Sequence, residues 1–284
     1  MKSPPVISIV TPSFNQAIFI GEAMASVQLQ KYRNFEHLVI DGGSTDGTLF
    51  LLRNLTTGEE GRAVMWLSEP DSGQSEALNK GFRQAKGEII GWLNSDDRYH
   101  AGCFEQIVQA FADNPDADIL YGDYLVVDES GKTLKIRREI EFSEFILLYH
   151  RVLYIPTTAT FFRRKVFEEN NWLDESLHYA MDLEFFIRLA ARGYRFKHIP
   201  EILADFRVHP RSKSCRAATE HRMEHQQIVL GAAPVLRRLR PPLLRKTVLW
   251  LLRSIAGVER YSKKLLKGCY WQQVRLNGPS ATDV

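Results

Sequence analysis

Val6-Ile7-Ser8-Ile9-Val10-Thr11-Pro12-Ser13-Phe14-Asn15 is the run on which the fold turns. Its first five residues are β-branched or small and read as a short strand, and the Thr-Pro-Ser-Phe-Asn that follows breaks it. Outward from there the same alternation repeats. Ile18 to Leu29 reads as a helix. Phe35-Glu36-His37-Leu38-Val39-Ile40 is a second strand, closed by Asp41-Gly42-Gly43. A helix from about Gly47 to Leu55, a strand over Ala63 to Leu67, a helix over Gln74 to Ala85 and a strand over Glu88 to Leu93 complete the series. A βαβαβαβ order implies an α/β protein with a mostly parallel central sheet, right-handed crossovers and flanking helices.

After Asp97 the pattern loosens. Phe104 to Ala112 predicts a helix, Asp118 to Val127 a strand, and Glu129-Ser130-Gly131-Lys132 a hairpin turn. Thr158 to Phe162 is strand-like, Leu183 to Ala191 helical, and Ile202 to Val208 a last strand. There is no internal repeat and no low-complexity stretch.

The 284 residues, 44% of them hydrophobic, suffice for one α/β core with an appendage or for two small domains, and exclude global disorder. The net charge of +3 hides an asymmetry: from Cys215 onward 13 Lys and Arg face 4 Asp and Glu, whereas the first 214 residues carry 24 basic and 30 acidic groups. Cys103, Cys215 and Cys269 are widely spaced and form no C-x-x-C pair, which argues against a disulfide scaffold or a structural zinc and fits a reducing compartment. Met1-Lys2-Ser3-Pro4-Pro5 lacks a signal-peptide core, and no apolar run reaches the ~18 residues that span a bilayer. The expected location is cytoplasmic, including the inner face of the cell membrane.

In Pro242 to Ala256, Leu244, Val248, Leu251, Leu252 and Ile255 fall on one helical face and Arg245, Lys246 and Arg253 opposite. Such a helix suits an anionic membrane surface. It equally suits packing on the body or on a second subunit of an oligomer.

Ligands of open parallel sheets sit beyond the carboxyl ends of the strands. Here each of the first four strands ends in a polar loop: Thr11-Pro12, Asp41, Glu69 to Gly73, and Asn94 to Asp97. One shared site follows. In Asn94-Ser95-Asp96-Asp97, adjacent carboxylates repel unless a cation lies near. Mg²⁺ or Mn²⁺ uses one or two carboxylates and completes its shell with phosphate oxygens and water, as a diphosphate requires. Taken alone, the run reads first as a solvated turn that caps the helix after Gly102. Asp41-Gly42-Gly43-Ser44-Thr45-Asp46 lets backbone approach a ligand, with Asp41 facing it and Asp46 capping the helix behind. The glycines miss the G-x-G-x-x-G spacing and no P-loop is present; His221 and His225, in His-Arg-Met-Glu-His, read as surface helix residues.

Four runs in register resemble family 2 glycosyltransferases of the GT-A fold: Val6 to Asn15, Val39 to Thr48, Glu69-Pro70-Asp71-Ser72-Gly73-Gln74-Ser75-Glu76-Ala77-Leu78-Asn79-Lys80-Gly81, and Gly91-Trp92-Leu93-Asn94-Ser95-Asp96-Asp97. The resemblance covers roughly residues 6 to 214. It implies a GT-A domain over 1–214 and a basic amphipathic helical tail over 215–284. It implies an inverting hexosyltransferase that moves a sugar from a nucleotide diphosphate donor, most commonly UDP in that family with GDP and dTDP open, to a glycan or lipid-linked acceptor hydroxyl in cell-surface polysaccharide or glycolipid assembly. By position, Thr11, Pro12, Asn15 and Asp41 fall to the nucleotide, and Asp71, Asn79, Lys80 and Ser95 to the nucleotide-sugar. Asp96 is the implied main ligand of Mn²⁺ or Mg²⁺, with Asp97 beside it, and Asn94 stands where the D-x-D run has its first Asp. Trp172 to Asp182 resembles the segment bearing the catalytic base, so Asp182 is that candidate. Arg207-Val208-His209, with Ser212 and Ser214, resembles the loop that closes over the pyrophosphate, giving Arg207 a phosphate role and His209 a phosphate or metal one.

Two other classes stay in view. A nucleotidyltransferase needs a basic, glycine-rich triphosphate loop near the N-terminus, and Thr11 to Gln16 holds no basic residue. A non-catalytic sugar-nucleotide-binding protein would bind the donor without hydrolysing it. Nucleic acid is not an expected partner, since the basic tail has no recognition motif or aromatic platform beside it.

Overall fold

The computed structural model describes residues 6–56, 64–213, 217–239 and 241–269. Ala63, Ser214, Cys215, the boundary expected after 214 and the leading Met1-Lys2-Ser3-Pro4-Pro5 lie outside them. The first half follows the expected order: β1 (Ile7–Ser13), α1 (Ile20–Gln28), β2 (Phe35–Asp41), α2 (Thr48–Thr56), β3 (Val64–Ser68), α3 (Gln74–Gln84) and β4 (Ile89–Trp92). Then come β5 (Arg98–Tyr99), α4 (Cys103–Asp113), β6 (Ile119–Val127), β7 (Thr133–Arg137), α5 (Glu144–Tyr149), β8 (Thr160–Arg163), α6 (Lys165–Glu168), α7 (Met181–Ala191) and β9 (Phe196–Arg207). The C-terminal helices are α8 (Ala218–Ala232), α9 (Pro234–Arg238) and α10 (Pro242–Leu266).

The strands form one sheet in the order β3-β2-β1-β4-β8-β6-β9-β5, with β7 paired to β6. β1 to β4 are mutually parallel, as their crossover helices require. β8 joins antiparallel between β4 and β6, and β9 lies parallel to β6, so the second half makes the sheet mixed. β1 runs three residues past its expected end. Its last pairs, Thr11↔Val39 to Ser13↔Asp41, involve β2 alone, because β4 stops opposite Val10. A strand paired on one side tolerates a proline.

Period-2 burial sorts the core. Ile7, Ile9, Ile89, Leu120 and Phe161 face α1 and α4. Val10, Ile90, Trp92, Ile119, Tyr121 and Phe162 face α3, α5 and α7. Gly81 lets α3 lie close on β1, since a Cβ there would stand 2.3 Å from a Val10 methyl.

The C-terminal helices share the second of these cores through Val229, Leu236, Leu249 and Ala256. α10 packs on α5, but not by the expected face. Leu249 and Ala256 point inward, with Val248 and Leu252 partly covered, while Leu244, Leu251 and Ile255 are exposed. The buried carboxylate of Glu139 draws the cationic side in, pairing with Arg260 at 2.9 Å and Lys264 at 3.0 Å. A buried charge demands such partners. Arg245 likewise donates to the Leu230 carbonyl at 3.0 Å.

Candidate functional site

The ends of β1, β2 and β4, the loops after β3 and β9, and the start of α7 enclose one cleft of about 1120 Å³. The expected residues Pro12, Asn15, Asp71, Ser95, Asp96, Asp182, Arg207 and His209 all line it. Thr11, Asp41, Asn79, Lys80 and Asp97 do not; they hold the loops that do.

The loop after β1 is clamped to the loop after β2. Asn15 sits at φ 53°, a left-handed conformation that Asn tolerates. Its N–H donates to Ser44 Oγ at 2.7 Å, and its Oδ1 accepts from Thr45 N at 2.9 Å. Asp46 accepts from Thr48 N at 3.1 Å and Ala17 N at 3.0 Å, so it secures the first turn of α2 and also ties in the β1 loop. Asp41 is fully buried and spends itself on its own turn: Ser44 N (2.9 Å), Gly43 N (3.1 Å), Ser44 Oγ (2.5 Å) and Ser68 Oγ (2.7 Å) all donate to it. Beside it, Gly42 leaves room for Asp71, whose Oδ2 lies 2.6 Å from where a Cβ would stand. Burial raises the Asp71 carboxyl above its usual range.

Beneath β1, Thr11 Oγ1 lies 2.9 Å from His37 Nε2, and burial lowers that imidazole to about 3. Asn79 joins α3 to the chain before α7, donating to the Leu173 carbonyl at 3.0 Å and accepting from Leu173 N at 2.9 Å. Lys80 pairs with Glu69 and Glu76, both at 2.8 Å.

The run after β4 is braced from β9. Asp97 is buried, accepting from Arg207 N at 2.9 Å and Asn94 Nδ2 at 3.2 Å. Burial, then the neighbouring Asp96 charge, pushes its carboxyl well above the usual range. Asn94 Oδ1 in turn accepts from Gln74 at 2.9 Å and the Trp92 indole at 2.8 Å. Arg207 is almost wholly buried. Its Nε donates to the Asp96 carbonyl (2.8 Å), Nη1 to the Glu129 carbonyl (2.7 Å) and Nη2 to Glu22 (2.6 Å), with its guanidinium 5.0 Å from the Phe19 ring centre. That geometry makes Arg207 a brace under Asp96. Asp96 itself faces the cleft, with Oδ2 3.1 Å from His209 Nε2.

Among the described residues no three His, Cys, Asp or Glu side chains converge as an all-protein metal shell needs. Asp96 and His209 fit a Mg²⁺- or Mn²⁺-type cation as a partial shell that takes its other oxygens from phosphate and water. The buried Nδ1 of His209 has no hydrogen-bond partner among the described residues.

Asp182, also in the lining, opens α7. Its Oδ1 accepts from Leu183 N at 2.8 Å, and burial raises its carboxyl above the usual range. A carboxylate so shifted holds a proton more readily than an exposed one, which suits it to proton transfer. Glu184 pairs with Arg188, four residues on, at 2.7 Å. Glu224 of α8 accepts His178 N (2.9 Å), Tyr179 N (2.6 Å) and Ala180 N (2.5 Å), fixing the segment that delivers Asp182. Sequence reasoning missed Glu22 and Glu224, since both act on residues far along the chain. It also misplaced the histidines of α8. His221 lines the cleft, and His225 is buried, with its imidazole lowered to about 4 by burial and then by the Arg253 charge. α8 lies against α7 and α5, with His225 covered and His221 half-buried.

The model of the family described as Glycosyl transferase family 2 matches residues 8–170. An uncharacterized glycosyltransferase of Mycobacterium tuberculosis is 32% identical over 192 residues, covering 67% of this chain and 71% of the relative. A GalNAc(5)-diNAcBac-PP-undecaprenol beta-1,3-glucosyltransferase of Campylobacter jejuni is 25% identical over 202 residues, 67% of this chain and 65% of the relative. Among solved structures, the mannosyltransferase PcManGT from Pyrobaculum calidifontis in complex with GDP-Man and Mn²⁺ has a TM-score of 0.65 at 20% identity, covering 95% of this chain and 76% of that one. S. aureus TarS 1-349 in complex with UDP-GlcNAc has a TM-score of 0.64 at 19% identity, covering 86% and 70%. These two likenesses bear on the fold, which is that of GT-A glycosyltransferases.

Proposed function

We propose, from the premise that the chain belongs to glycosyltransferase family 2, that its cleft takes a UDP-sugar and transfers the sugar, with inversion, to an acceptor hydroxyl. The observation that carries this reading is the pairing of two chemistries in one cleft: Asp182, half-buried and raised, and Asp96 with His209. Asp182 takes the proton of the acceptor hydroxyl as its oxygen bonds to the anomeric carbon. The bond from that carbon to the diphosphate breaks at the same time, and its electron pair leaves with the diphosphate. Arg211 and Lys213 line the cleft beside His209 and supply positive charge to the departing group. Asp96 and His209 would hold a divalent cation, which when bound neutralises diphosphate charge. Pro12, Asn15 and Asp71 would seat the nucleotide.

UDP is the donor base put forward because a structural neighbour carries UDP-GlcNAc; GDP is the rival because another carries GDP-Man. The Campylobacter relative's lipid-linked name supports a glycan or lipid-linked acceptor, in cell-surface polysaccharide or glycolipid assembly at the inner face of the membrane. In this reading the C-terminal helices are the membrane-facing unit. The contact put forward is a peripheral one through those helices; no described helix is long and apolar enough to cross a bilayer.

Asp182→Asn tests the assignment. Turnover should fall by about 10²–10⁴-fold, the usual contribution of a general base, with donor affinity unchanged by calorimetry. Normal turnover would remove Asp182 from the mechanism. A panel of sugar nucleotides with Mn²⁺, read by thermal shift, identifies the donor, because ligand binding to the folded state raises apparent stability.

A further inference from the structure

A second cavity, of about 180 Å³, lies between β7, the end of α5 and α10, and none of its lining residues lines the cleft. On the scale where ~10–15 Å³ of such volume admits one water, it has room for a hydrated phosphate group. Lys135, Arg137, Arg138, Arg260 and Lys264 line it. Two buried carboxylates answer these five cations: Asp123 pairs with Arg138 at 3.1 Å, and Glu139 takes both Arg260 and Lys264 on one oxygen. Lys135 and Arg137 make no ion pair with a described residue. The Nε–H groups of Arg137 and Arg260 are buried without a hydrogen-bond partner among the described residues. Such an excess of inward-facing donors and positive charge fits an anion with several acceptor oxygens.

The cavity borders an apolar surface. Leu243, Trp250, Leu251, Val258, Tyr261 and Leu265 of α10 are all exposed. At 100° per residue they fall within an arc of about 100°, along roughly 33 Å of helix. Tyr261, 59% exposed, belongs to both the stripe and the cavity wall. A stripe of this size on a soluble surface marks an interaction site. A second copy of the chain would bring the same cations to the interface, not their counter-charge. An anionic bilayer brings both partners at once: acyl chains for the stripe and phosphates for the cavity.

We propose that the cavity binds the phosphate of an anionic lipid while the α10 stripe beds into the bilayer interface beside it. This deepens the membrane contact of the reading above and does not depend on sugar transfer. The full-length chain should float with vesicles of phosphatidylglycerol and phosphatidylcholine, and much less with phosphatidylcholine alone. Lys135→Gln with Arg137→Gln removes two unpaired charges; at about fivefold per cation its partition into anionic vesicles should drop about 25-fold, with solution turnover unchanged. Trp250→Ser should weaken binding as well, and inorganic phosphate should compete only at high concentration. Undiminished flotation of the double variant would overturn the phosphate pocket and leave the membrane contact standing. No flotation of the wild type would overturn both, whether the stripe proves to be a dimer contact by light scattering or inorganic phosphate alone protects the fold. The Asp182→Asn assay would still decide sugar transfer separately.

Discussion

Glu224→Gln is the perturbation that most directly probes how Asp182, the proposed base, is delivered. In the wild type one carboxylate accepts three consecutive backbone N–H groups, at 2.9, 2.6 and 2.5 Å from His178, Tyr179 and Ala180. A hydrogen bond to a charged acceptor contributes about 1.5–3 kcal/mol, a neutral one about 0.5–1.5 kcal/mol. The glutamine carbonyl can take the place of the oxygen that serves Tyr179 and Ala180. Those two bonds then fall to neutral strength, and the amide NH₂ is set against the His178 N–H. His178 is exposed, so water replaces that bond at little loss. The three contributions share one side chain and do not add. The net loss is about 1.5–3 kcal/mol. At roughly 2 °C per kcal/mol for a chain of this length, Tm should fall by about 3–6 °C. The segment ends two residues before Asp182, and a displacement near 1 Å can lower turnover about 100-fold. A fall in kcat approaching that factor is expected, with donor affinity intact. The decisive control is the double variant with Asp182→Asn. If Glu224 acts through Asp182, its effect on kcat disappears in that background while its effect on Tm persists. Unchanged Tm and kcat in Glu224→Gln, or an undiminished kcat effect beside Asp182→Asn, would refute the reasoning.

Other outcomes follow from the same geometry. Because burial raises the Asp182 carboxyl and a base must be deprotonated to act, kcat should rise with pH through a value above the ordinary Asp range of about 4, and Asp182→Asn should flatten that limb. Arg207→Met leaves the Asp96 and Glu129 carbonyls without their donor; with Glu22 half-exposed, the loss should be about 2–4 kcal/mol by chemical denaturation, below the full figure for a broken buried pair. Asn94→Asp exchanges a 3.2 Å donor to Asp97 for a second carboxylate, and should lower stability by about 1–3 kcal/mol at pH 7. That deficit should shrink as pH falls through the raised Asp97 pKa, since protonation restores a donor between the two groups; a deficit that grows in acid would count against the arrangement.

What the sequence made legible was backbone pattern; what it hid was how polar side chains spend their hydrogen bonds. The β-branched runs of β1 to β4 and the polar ends after them located the cleft, because strand period and turn chemistry are local properties. Asp41, Asn79 and Arg207 carry the same polar signature as Asp71 and Asp96, yet Asp41 is saturated by Ser44 and Ser68, Asn79 by Leu173, and Arg207 by Glu22 and two carbonyls. Their partners lie up to 185 residues away, so no local window separates a group aimed at a ligand from one that supports it. The two-residue β5 is too short to show a period. β9 begins at Phe196, ahead of its expected start, and carries Pro200 where its register with β6 shifts between Tyr121 and Asp123. α10 is the sharpest case. Its apolar period is real, and an amphipathic helix ordinarily turns such an arc to the core. Here Glu139, more than a hundred residues earlier and buried at the end of the β7 segment, needs cations more than the core needs leucines. Removing that carboxylate with Glu139→Gln should therefore loosen α10 before any other helix, and hydrogen exchange would show it first around Arg260 and Lys264.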